Sequence, residues 1–63
     1  MTEKELLYFE DAIGHEKNII KICDYMLENL NDEKLVSFIS SEKEEHTKLK
    51  DKLLNMLEEN ANE

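Results

Sequence analysis

The chain has 63 residues, 16 acidic and 8 basic, for a formal net charge of −8, with one cysteine, one glycine and no proline. That balance repels phosphate backbones and anionic lipid, which excludes nucleic acid and membrane surfaces as expected partners. Lone Cys23 excludes an intrachain disulfide, and so short a chain buries little core by itself, so metal or self-association is expected to make up the stability.

The sequence carries no charged-then-apolar leader, no lipidation motif and no run of about 18 apolar residues, which reads as a soluble, cytoplasmic protein. Without a linker-like or low-complexity block, residues 1–63 are expected to form one all-α domain. "TEKE" at residues 2–5 has the form of a capping box, in which the Thr2 hydroxyl takes the amide of Glu5 and Glu5 reaches back. Leu6, Phe9, Ile13, Ile20, Cys23, Leu27 and Leu30 then recur mostly in steps of three and four, predicting a helix over about 3–30.

"NLND" at 29–32 offers side chains that tolerate a left-handed helix end, with Asn31 or Asp32 as the next N-cap. Leu35, Phe38, Ile39, Leu49, Leu53, Met56 and Leu57 predict a second helix over about 33–58, with fraying in "ENANE". Ser37, Ser40 and Ser41 are weak helix formers, and "SEKE" at 41–44 offers an alternative start for a separate helix. The resulting architecture is an antiparallel helical hairpin.

The first helix is apolar over too wide an arc for one partner. Projected at about 100° per residue, Ala12, Ile19 and Met26 flank its main stripe, and Tyr8, His15 and Ile22 lie beyond them. Two hairpins related by a two-fold axis can cover such an arc, which predicts a homodimeric four-helix bundle.

Three polar residues interrupt the inner stripes. The first, 6/9/13/16/20/23/27/30, is apolar except at Glu16, and the second, 35/39/42/46/49/53/56, is broken by Glu42 and His46. Helices joined near residues 31 and 32 pair residue n with about 63 − n, since both rise about 1.5 Å per residue. Glu16 then falls beside His46, with Glu42 one turn along. Buried carboxylates are paired, hydrogen-bonded or bound to cations. Carboxylate with imidazole suits iron, zinc or manganese, and a dimer doubles the set to four glutamates and two histidines.

"HEKNIIKICDYMLENLNDEKLVSFISSEKEEHTKLKDKLL" resembles half of a ferritin-like or rubrerythrin-type bundle, with a Glu in one helix, a short turn, and an E-rich stretch with His in the next. With "EDAIGHE" near its start, the chain also resembles the small spore-coat-associated ferritin-like proteins of endospore-forming bacteria. The resemblance implies a ferritin-like fold, spore-coat proteins as partners, and Glu16, Glu42 and His46 as metal ligands completed by a second subunit. The family pairs Glu and His three residues apart, whereas Glu42 and His46 are four apart.

A metal-free alternative reads Glu16 and His46 as a hydrogen-bonded pair that sets register inside a structural or interaction module, with Glu42 answered by Lys17 or Lys21. Glu45 is expected at the surface and His15 at an interface. Cys23 reads as a small core side chain, and Tyr8, Phe9, Tyr25 and Phe38 as core or interface aromatics. No nucleophile-base set, phosphate-cradling loop or nucleotide motif is present. "SSEKE" does not make the motif of sporulation-type aspartyl-phosphate phosphatases, nor "GHEKN" that of histidine phosphotransfer domains.

Overall fold

A computed structural model describes residues 1–61 of the chain, in which α1 spans Glu3–Asn29 and α2 spans Glu33–Ala61, packed antiparallel along their length. The capping box forms as expected. Glu5 N–H donates to Thr2 Oγ1 at 3.1 Å, and Thr2 N–H donates to Glu5 Oε1 at 2.8 Å. The bonds from the Thr2 amide and hydroxyl hold the Glu5 carboxyl below its usual pKa.

Only Leu30, Asn31 and Asp32 separate the helices. Leu30 takes an extended conformation, φ −89° and ψ 138°, while its N–H donates to Met26 O at 2.8 Å. Among the described residues no non-glycine has positive φ, so the expected left-handed helix end is replaced by an extended one. Asp32 caps α2: its Oδ1 accepts from Lys34 N–H at 2.9 Å and from Leu35 N–H at 3.2 Å, satisfying two orphan donors of the first turn.

α2 is one continuous helix, so the serines and "SEKE" do not start another. Solvent-facing Ser40 and Ser41 cost only a modest propensity penalty, which packing along the whole helix offsets. The helix also outlasts the expected end near 58. Glu59, Asn60 and Ala61 include no breaker, and Asn60 Nδ2 donates back to Met56 O at 2.7 Å. The rest of the expected frayed end, residues 62 and 63, lies outside the described residues.

On α1 the inner stripe lies where the periodicity places it. Ile13 and Cys23 are buried, Glu16 lies between them at 8 % exposure, and Phe9, Ile20, Leu27 and Leu30 are half-buried. On α2 the inner line differs from expectation. Val36, Ile39, Lys43, His46, Lys50, Leu53 and Leu57 are half-buried, whereas Leu35, Phe38, Leu49 and Met56 are exposed. α1 covers one flank of a broad apolar arc, and the aliphatic stems of Lys43 and Lys50 complete that flank while their ammonium groups end in ion pairs, with Asp24 of α1 and with Asp51.

The uncovered lines lie together. Relative to the line that meets its partner helix, the line Tyr8, His15, Ile22 of α1 and the line Leu35, Phe38, Leu49, Met56 of α2 are both rotated in the same sense, by about a quarter to a third of a turn. In an antiparallel pair, equal senses of rotation place both lines on one side of the hairpin. Tyr25 is on neither line. It is 69 % exposed on the side of α1 opposite α2, so of the two places expected for it, core or interface, the core does not hold in this hairpin.

Gly14 faces solvent, has no positive φ, and a Cβ there would meet nothing within 4 Å. Neither close packing nor strain requires glycine. Gly14→Ala is therefore expected to raise stability by about 0.5–1 kcal/mol, read as a higher urea midpoint at unchanged slope.

Candidate functional site

Glu16 and His46 meet at mid-height of the hairpin, 30 residues apart in the chain. The short turn sets the register, and the steps that keep Glu16 in line with Ile13 and Cys23 direct its carboxylate at α2. His46 Nδ1–H donates to Glu16 Oε2, which fixes the imidazole tautomer and leaves the Nε2 lone pair free of that bond. Nε2 stands 3.6 Å from Glu42 Oε2, one turn back on α2. The two carboxylates therefore engage opposite nitrogens of one ring and do not converge on a single point.

The Glu16 hydrogen bond raises the His46 pKa above its ordinary value of 6.5, opposed by desolvation and reinforced by the charges of Glu16, Glu42 and Glu45. A raised folded value means that the protonated pair contributes fully below the ordinary value, and that this contribution is lost as pH rises through the folded one. The urea midpoint of chelator-treated protein is expected to be higher at pH 6 than at pH 9. His46→Gln should flatten that difference, and an equal slope with pH in the variant would refute the assignment.

Two expectations about neighbouring charges change. Glu42 stands beside His46, with Lys17 and Lys21 exposed, and Lys43 reaches across to Asp24 in an ion pair between the helices. Sequence reasoning missed the Asp24–Lys43 pair. The register that places Glu16 beside His46 puts Asp24 level with residue 39, one turn from Lys43 and within reach of a long side chain. Thr47, also unnoticed in the sequence, is half-buried next to His46 and donates its hydroxyl to Lys43 O at 2.7 Å.

Of the remaining candidates, Cys23 is a buried free thiol at 5 % exposure, Glu45 is exposed as expected, and His15 is exposed on the uncovered side. Among the described residues, no three or more His, Cys, Asp or Glu side chains are grouped to hold a metal ion. One hairpin thus offers two donors, His46 Nε2 and Glu42 Oε2, which fit imidazole- and carboxylate-binding metals in type and fall short in number. Among the described residues, no helix is long and apolar enough to cross a membrane.

Comparison of the chain with family models, curated proteins and solved structures gives no match. The hairpin is all-helical, as expected, and two antiparallel helices are too common an arrangement to identify a ferritin-like or spore-coat protein.

Proposed function

We infer that this chain is a self-associating helical module, in which two hairpins pack their uncovered apolar sides together as a homodimeric four-helix bundle that serves assembly and interaction. The observation that carries this reading is the single side of the hairpin that gathers Tyr8, Ile22, Leu35, Phe38, Leu49 and Met56, all exposed. The surface of the whole chain leaves room for a second copy. The chain exposes 5122 Å², against about 4,200 Å² for a compact monomer of its 7.5 kDa mass, an excess of about 900 Å². A standard interface takes about 800 Å² from each partner. Sedimentation equilibrium over a range of concentrations tests the reading: a mass of twice 7.5 kDa is expected, and 7.5 kDa throughout would overturn it.

A second reading is favoured by the orientation of His46, whose Nδ1 is held by Glu16 while Nε2 faces Glu42. In it, Glu16, Glu42 and His46 of two copies form a carboxylate and imidazole centre for iron, zinc or manganese, in a bundle of ferritin-like type. Association with spore-coat proteins rests on the sequence resemblance alone.

A further inference from the structure

We propose that a pair of hairpins holds one tetrahedral transition-metal ion of the zinc class between Glu42 and His46 Nε2 of both copies, with Glu16 as a positioning residue and not a ligand. This rests on the pairing inferred above, and divides the roles of the three residues by the geometry of one ring. A histidine that binds metal through one nitrogen characteristically donates its other N–H to a carboxylate, which fixes the ring and raises its basicity. Glu16 holds Nδ1 in that manner, so Nε2 is the nitrogen left for an ion.

The donor spacing suits a single ion. Two donors about 2.1 Å from one tetrahedral ion stand about 3.4 Å apart, and Nε2 and Glu42 Oε2 are 3.6 Å apart. The placement suits the pair. Glu42 lies on the uncovered line of α2, between Phe38 and Leu49, and His46 lies between that line and α1, so both face the interior of the bundle once a second copy covers the line. Each hairpin supplies two donors, and a tetrahedral site takes four.

Charge gives the pair a reason to take up a cation. A two-fold axis running along the helices would bring Glu16 and Glu42 of both copies to one level of the bundle interior, four carboxylates against two imidazoles. Lys43, the basic side chain next in sequence to Glu42, is engaged by Asp24. Burying unmatched carboxylates is costly, and a divalent ion offsets that cost where no further ammonium group is at hand.

The test is a Co(II) titration of the full, chelator-treated chain, followed by visible absorption, with its sedimentation mass measured with and without Zn(II). Expected are the intense bands of tetrahedral Co(II), saturation at one ion per two chains, and displacement by Zn(II). Glu42→Gln and His46→Gln should abolish the bands. Glu16→Gln should keep the stoichiometry and weaken binding about 10- to 100-fold. Glu42 is half-exposed in the single hairpin, so its variant folds whatever the fate of the others, which circular dichroism checks.

A dimer that binds no Co(II), binds one ion per chain, or binds equally well as Glu42→Gln overturns the metal site and leaves the pairing standing. A chain that stays at 7.5 kDa with and without Zn(II) overturns the pairing, and this site with it.

Discussion

Leu49→Glu is expected to keep the chain at single-hairpin mass at concentrations where the wild type sediments as a pair. Leu49 is exposed in the hairpin, so a carboxylate there stays hydrated and leaves the α1–α2 contact intact. In the bundle the same position lies in the middle of the covered side, where it would force a charge out of water beside Leu and Met side chains. Effective penalties for burying an ion are several kcal/mol, and about 3 kcal/mol already weakens association roughly a hundredfold. Tyr25→Glu is the control. Tyr25 is more exposed still, on the opposite side of α1, and its substitution should leave the mass unchanged. Equal effects from the two variants would mean that general acidity, and not this side of the hairpin, governs assembly.

Glu16→Ala is expected to lower stability by about 1–3 kcal/mol, the usual cost of losing a charge-assisted hydrogen bond at a buried position. Glu16 is as enclosed as the apolar residues around it, so its loss also removes packing between Ile13 and Cys23. Glu16→Leu combined with His46→Leu should recover part of the loss, because replacing both members of this part-buried pair by apolar groups removes their desolvation cost along with their attraction. A double-mutant cycle by urea unfolding separates the pair from its surroundings. Glu16→Ala within about 0.5 kcal/mol of wild type would show that the pair contributes little to the hairpin.

Those two variants also mark how far the sequence could be read. The Thr2 to Glu5 capping box, a cap at Asn31 or Asp32 and the level of Glu16 with His46 follow from local chemistry and helical rise, and each was legible. Which flank of α2 meets α1 was not. Leu35, Phe38, Leu49 and Met56 look like an inner face because they are apolar, yet the helix turns a line containing Lys43 and Lys50 inward. Hydropathy scores lysine by its ammonium group, whereas packing uses its stem. Glu16, His46 and Glu42 were expected on one level and do meet there, whereas the placing of the ring between the two carboxylates depends on a side-chain orientation that spacing does not encode.

The three-residue connection has a consequence for how the chain reaches this structure. Contacts across the hairpin differ in the length of chain they enclose: Asp24 to Lys43 closes 19 residues, by 43 − 24, and Glu16 to His46 closes 30. Loop-closure entropy grows with the logarithm of length, so the contacts near the turn come first and each lowers the cost of the next. The helices are then expected to zip from residues 30–32 toward the chain ends, with the Glu16–His46 bond forming midway. A helix slipped by one turn would miss it and lose the polar bond that joins the inner stripes of the two helices at mid-height.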